Sequence, residues 1–223
     1  MSDQARAALA AALDGASSAA GELLHPQRRG AWQANQVAIG ATVVAYLGAD
    51  EPSRARIRSE RLRLGWAAAA GVPVPAVRAQ AADDAWLLVQ RVPDDEVYGP
   101  TYVDAAVAAA AAVRLAGAPP PHVGIARSRR AHRSDLMVRV TRAVLSPLRL
   151  TEFRALRAEV AAVPEDRFVT SHGDFHIGNV LSDTGSSVSV VDFEFLGRGH
   201  PADDLMSLWV DLVDPADRQR LLR

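Results

Sequence analysis

Ser171-His172-Gly173-Asp174-Phe175-His176-Ile177-Gly178-Asn179-Val180-Leu181 and, beyond a turn, Val190-Val191-Asp192-Phe193-Glu194 are the segments from which the rest of the sequence is read. Asp174, Asn179 and Asp192 carry short-armed oxygens. Val180-Leu181 follows Asn179, and Val188, Val190 and Val191 lead into Asp192. Between these apolar runs, Ser182-Asp183-Thr184-Gly185-Ser186-Ser187 has turn composition. The pattern predicts a hairpin that sets Asn179 and Asp192 at neighbouring strand ends, with Asp174 on the loop before them. Two hard-oxygen side chains so placed can hold Mg²⁺ on a phosphate tail, and the third is left to take a proton from an attacking hydroxyl.

Composition bounds the rest. A chain of 223 residues is one large domain or two lobes, and is long enough to bury a core. Nearly half of it is hydrophobic and the formal charge is −1, which suits a globular soluble protein and gives no sign of a nucleic-acid partner. Cysteine is absent, which excludes disulfides, thiolate metal sites and a cysteine nucleophile. All 25 residues in the Lys+Arg count are arginine. The alanine-rich start is too weakly apolar for a signal peptide, and no run approaches the roughly 20 apolar residues of a membrane span. No membrane partner and a cytoplasmic location are therefore expected.

Along the chain, residues 3–24 read as a packing helix and Gly30 to Asn35 as a loop. Val37 to Ile39 reads as a short strand, and Ala41 to Leu47, rich in β-branched residues, as another. Pro52 to Gly71 reads as an arginine-dense helix, with Ser53 its N-cap and Gly71 its stop. Gly71 to Pro75 is an extended connector. Trp86 to Val89 reads as a buried strand that leaves through Gln90-Arg91-Val92. Thr101 caps a helix over 104–115, and Pro119-Pro120-Pro121 breaks the chain. A basic segment, Arg127 to Arg133, precedes helices at 134–145 and 151–163. Phe168-Val169-Thr170 is the strand that delivers the Asp174 loop. Pro201 opens a helix running to about Leu212, and Pro215 to Leu222 supplies one short helix more.

The spacing of Asp174, Asn179 and Asp192-Phe193-Glu194 is that of protein kinases, where His-Arg-Asp is followed by Asn and then Asp-Phe-Gly. The form here, His172-Gly173-Asp174, His176, Gly178-Asn179 and Asp192-Phe193-Glu194, resembles the aminoglycoside phosphotransferase and choline kinase family more closely. The resemblance covers residues 168–206 and, on a looser pattern, 30–96. It implies an α+β, protein-kinase-like bilobal fold: a small sheet-containing lobe over 1–90 with its leading helix, and a mainly helical lobe over 91–223. It makes Asp174 the base, Asn179 and Asp192 the Mg²⁺ ligands, and His172 a brace for the loop. His176 is a family position that loop packing alone would also explain. Gln90 and Val92 fall at the hinge, where backbone groups pair with adenine, and Glu60 matches a helix glutamate beside the ATP phosphates. Asp204 matches an aspartate that accepts amide bonds from the loop, although a place in the first turn of a helix suits any acid, Asp203 included.

Two departures stand out. The family carries a phosphate-binding lysine on its third strand, where aligning Val43-Val44 puts Ala45. Arg54, Arg56 or Arg58 is the candidate replacement; the alternative is ATP held loosely or unproductively. The chain also stops soon after Asp204, where relatives continue. This leaves an acceptor site that is minimal, shared with a partner subunit as in a homo-oligomer, or missing from a truncated chain. Two functions are weighed. One is a Mg·ATP-dependent O-phosphotransferase whose partner is a small hydroxylated acceptor. The other is a non-catalytic, kinase-like nucleotide- or ligand-binding protein. The intact Asp174, Asn179 and Asp192 favour the enzyme.

Overall fold

The computed structural model describes residues 3–27, 36–93, 98–120, 123, 168–182 and 187–221. The expected helices at 134–145 and 151–163, the basic segment 127–133 and the loop at 30–35 lie outside the described residues. The chain divides into two compact units, one of residues 1–66 and 74–93, the other of residues 67–73 and 94–223.

In the first unit, α1 (Asp3–Ala20) leads into a sheet of five antiparallel strands. These are β1 (His25–Gln27), β2 (Gln36–Ile39), β3 (Val43–Leu47), β4 (Val77–Gln80) and β5 (Trp86–Gln90), in the order β1-β2-β3-β5-β4. Strands β2, β3 and β5 are the runs in which β-branched and large apolar side chains favour a pleated, half-buried surface. The edge strands β1 and β4 were not foreseen. His25-Pro26-Gln27 is exposed throughout and Val77 to Gln80 is mostly so, and neither alternates between polar and apolar. Directly paired residues share a face of a sheet. Ala38, Ala45 and Leu88 therefore form one row across β2, β3 and β5. That row packs with Ala12 and Ala16 of α1, with Leu24, and with Val43 and Leu47 on the same face.

Helix α2 (Glu51–Ala69) begins one residue before the Pro52 start that the sequence suggested. Ser53 is not the cap. Asp50 Oδ1 accepts the Ser53 amide at 2.9 Å, and Ser53 Oγ accepts the Asp50 amide at 3.1 Å. This is the reciprocal capping arrangement, with the acid in the cap position and the hydroxyl three residues on. The stop is as read: Gly71 has φ +78°, and the Val72 amide reaches back to the Ala67 carbonyl at 2.9 Å. Ser53, Ile57, Glu60, Leu64 and Ala67 are buried at helical spacing along one stripe of α2.

In the second unit, α3 (Pro100–Leu115) starts with proline in its first turn and Gly99 as N-cap, where Thr101 had been expected to cap. Strand β6 (Val169–Ser171) pairs with β9 (Gly197–Gly199), a partner too short and glycine-rich to be read from sequence. Strands β7 (Val180–Leu181) and β8 (Ser189–Val190) form the expected hairpin. Two short helices close the chain, α4 (Asp203–Asp211) and α5 (Pro215–Arg220). Tyr102 Oη of α3 donates to the Val180 carbonyl at 2.9 Å, and the Val190 amide donates to the Pro73 carbonyl at 2.7 Å, so the hairpin is tied on two sides. Arg220 makes two 2.6 Å hydrogen bonds to Asp104, which fixes α5 to α3. No helix among the described residues is long and apolar enough to cross a membrane.

Candidate active site

The loop between β6 and β7 is held from below by one carboxylate. Asp204, in the first turn of α4, accepts Ser171 Oγ at 2.8 Å, the His172 amide at 3.0 Å and the Gly173 amide at 3.0 Å. Asp204 is only 7% exposed, so these donors have little access to water in its place. A carboxylate that accepts backbone N–H groups makes charge-assisted hydrogen bonds, the stronger kind. Of the two acids in this turn, Asp204 takes the loop, while Asp203 accepts the His200 amide at 2.7 Å and closes the start of its own helix. Gly173 is required where it stands: its φ is +85°, and a Cβ there would press into the Phe195 carbonyl.

His172 is fully buried, edge-on to Phe193 at 4.7 Å and to Phe175 at 5.8 Å between ring centroids. Its Nε2 lies 3.0 Å from the Val191 carbonyl and its Nδ1 3.3 Å from the Asp174 amide. A carbonyl only accepts and an amide only donates, so the proton is assigned to Nε2 and the ring is neutral. Burial pushes the His172 pKa down, against the opposing pull of Asp204, Asp174 and Asp192. The imidazole thus works as a rigid strut between the residue before Asp192 and the amide of Asp174.

The hairpin brings the oxygen donors together. The Val191 amide donates to the Asn179 carbonyl at 2.9 Å, which sets Asp192 directly beyond the end of the strand pair. Asp192 takes the left-handed conformation, φ 63° and ψ 65°, at the entry to the single 3₁₀ turn Phe193–Phe195. Aspartate visits that region more readily than most residues, and such backbone is concentrated at functional sites, at a cost on the order of 1 kcal/mol or more. Asn179 Nδ2 donates to the Asp174 carbonyl at 2.9 Å and to Asp174 Oδ2 at 3.2 Å. With the amide nitrogen turned to Asp174, the Asn179 carbonyl oxygen is the atom that can meet a cation. Two hard oxygen side chains on adjacent strand ends fit Mg²⁺, an ion that takes few protein ligands and completes its shell with phosphate and water. No group of three or more His, Cys, Asp or Glu suited to a metal occurs among the described residues.

The nucleotide-side residues read from the resemblance lie in the first unit. Glu60 is buried on the α2 stripe. Gln90 ends β5 with its amide donated to Ala76 at 2.8 Å, and its side chain accepts from Arg78 at 3.1 Å. Val92 follows, half-buried. Ala45 is not where a phosphate-binding base could act. Its side chain lies in the core with α1, and the opposite face of β3 carries Val44 and Tyr46. Two of the arginines nominated as substitutes are otherwise engaged: Arg54 meets Asp83 at 2.8 Å, and Arg58 meets Asp84 at 2.6 Å.

One residue of the site escaped the sequence reading. Asp211 Oδ2 accepts the Ile177 amide at 3.4 Å. Asp204 and Asp211 are seven apart on α4, hence on one face of the helix, and that spacing was the available signal.

Comparison with curated proteins gives no match. Among solved structures, the macrolide 2'-phosphotransferase MphH of Brachybacterium faecium shares 21% identity at TM-score 0.63, over 96% of this chain and 80% of that one. The aminoglycoside phosphotransferase APH(3'')-Id of Streptomyces rimosus shares 21% at TM-score 0.59, over 100% of this chain and 97% of that one. APH(2")-IIa, solved as a ternary complex with streptomycin and ATP, shares 12% at TM-score 0.63, over 96% and 82%. The fold is thus α+β and kinase-like. A family model described as "Phosphotransferase enzyme family" matches residues 25–223, which include the β6–β7 loop, the hairpin and α4. The chain belongs to the phosphotransferase enzyme family.

Proposed function

We propose that this enzyme moves the γ-phosphoryl group of ATP, with Mg²⁺, onto a hydroxyl of a small molecule. The observation that carries the reading is the convergence of Asp174, Asn179 and Asp192 around a buried, neutral His172. Asp174 accepts the acceptor's hydroxyl proton as its oxygen bonds to the γ-phosphorus, and the bond to ADP breaks on the far side. Asn179 and Asp192 would hold Mg²⁺, which neutralises charge on the phosphate oxygens when bound. His172 keeps the base and the metal-side strand in register. In the first unit, Glu60 matches the glutamate that the family resemblance sets beside the ATP phosphates. Since the Gln90 amide is committed to Ala76, pairing with adenine falls to the Gln90 carbonyl and the Val92 backbone. ATP as cosubstrate places the work in the cytoplasm. The solved relatives named for macrolides and aminoglycosides make those hydroxyl-rich compounds the first acceptors to try.

The test is ADP release from Mg·ATP across a panel of hydroxylated small molecules that includes streptomycin and a macrolide. Acceptor-dependent release, with the acceptor gaining one phosphoryl group by mass, is expected. No calorimetric binding of ATP in the presence of Mg²⁺ would overturn the reading and revive the non-catalytic one.

A further inference from the structure

We infer that His176 is a positioning residue for the Asp174 carboxylate, seated on the loop by Gly178 and Asp211; the inference rests on the phosphotransfer reading above. The Gly178 amide donates to His176 Nδ1 at 3.0 Å. A ring nitrogen that accepts an N–H carries no proton, so the proton of the neutral imidazole sits on Nε2. That nitrogen lies 3.6 Å from Asp174 Oδ2, the same oxygen that Asn179 Nδ2 reaches at 3.2 Å. Two N–H groups are therefore directed at one carboxylate oxygen, Asn179 within hydrogen-bond distance and His176 just beyond it. At 3.6 Å the His176 contact is longer than a formed hydrogen bond. Catalytic hydrogen bonds that are long without ligand tighten in the loaded enzyme.

The seat is specific. A Cβ at residue 178 would stand 2.9 Å from His176 Cε1 and 3.1 Å from Nδ1, so the ring folds back over the loop because that residue is glycine. Asp211 accepts the Ile177 amide at 3.4 Å, and the same oxygen lies 4.0 Å from His176 Nδ1. Helix α4 thus grips the loop twice, through Asp204 at its start and Asp211 at its end. A loop held only at Asp204 would leave the 176–178 turn, and with it the imidazole, free to swing.

The experiment uses the full chain with Mg·ATP, water as the phosphoryl acceptor, and ADP release as the readout. His176→Ala should lower kcat about 10- to 100-fold, the usual cost of losing a group that orients a catalytic ligand, while KM for ATP stays within about twofold because no uniform binding is lost. His176→Gln, whose amide can donate from a similar reach, should recover most of the rate, and a purely structural loss would not be rescued in this way. Nitrogen-15 imidazole spectra, assigned by difference from His176→Gln, should show the Nε2–H tautomer in the ligand-free protein. An Nδ1–H tautomer would overturn the geometry. ADP release that His176→Ala leaves unchanged would overturn the positioning role alone. No calorimetric binding of Mg·ATP by the wild type would bring it down together with the phosphotransfer reading.

Discussion

Two places in the molecule set aspartates against a helix, and they do opposite things with them. In the second unit, Asp204 is buried on α4 and accepts three donors from the loop that leads to Asp174. In the first, Asp83 and Asp84 sit in the turn between β4 and β5 and meet guanidinium groups of α2, with the Asp83 side chain 60% exposed. The attraction is similar in kind, but the solvent differs. Donors bonded to Asp204 lose it to nothing, whereas Arg54, paired with the exposed Asp83, can exchange its aspartate for water. Asp84, only 8% exposed, is as buried as Asp204 and lies on the other side of the contrast. The first arrangement fixes geometry; the second mainly ties a turn to a helix and occupies cations that would otherwise be candidates for phosphate.

Substitutions can break this contrast at graded strength. The largest effect is expected from Ala45→Lys. It would push a long charged side chain into the core beneath α1 and should cost about 4 kcal/mol or more, read as loss of the folded baseline in urea, without the gain in ATP binding that a strand lysine was expected to give. Asp204→Ala comes next. It leaves two amides and a hydroxyl unsatisfied in a buried place, for about 3 kcal/mol in urea unfolding, and turnover should fall with it. If Asp204→Ala unfolds with the wild type, the loop is held by something else.

A smaller effect tracks pH. His172 has a folded pKa pushed below the ordinary value of 6.5 by burial. The unfolded chain takes up the proton first as the pH falls, so the stability this neutral ring contributes is complete above that value and drains away below it. The slope is limited to about 1.4 kcal/mol per pH unit for one proton. Denaturant melts between pH 7 and 5 should show His172→Gln with a flatter dependence than the wild type. The smallest effect belongs to the exposed pair: Asp83→Ala should cost only about 0.5 kcal/mol and shrink further in high salt. A loss as large as that of Asp204→Ala would erase the contrast.

The same contrast explains what the sequence let one read. The loop and hairpin were legible because few residue types can do each job there. Only glycine fits at Gly173, and the resemblance calls for short oxygen donors at Asn179 and Asp192, so spacing and identity carried the geometry. Asp204 was legible through the resemblance. In the first unit, many sequences make an acceptable strand or ion pair. The edge strands β1 and β4 lacked alternation, and which face of β3 held Ala45 depended on where α1 packed, a long-range fact. Ser53 misled for a local reason: a hydroxyl three residues into a helix looks like a cap until the preceding aspartate is seen to share the bonds. Asp211 was missed because its partner is a backbone amide, so that only its seven-residue spacing from Asp204 marked it.

In the proposed reaction, the second unit divides its oxygens between a base and metal ligands. Calorimetric titration of Mg·ATP into Asp174→Asn and Asp192→Ala, with ADP release measured on the same samples, tests it most directly. Asp174→Asn should bind the nucleotide like the wild type yet lose about 10²- to 10⁴-fold in turnover, and Asp192→Ala should lose Mg²⁺-dependent binding itself. Full turnover in Asp174→Asn, or unchanged Mg²⁺-dependent binding in Asp192→Ala, would contradict the division.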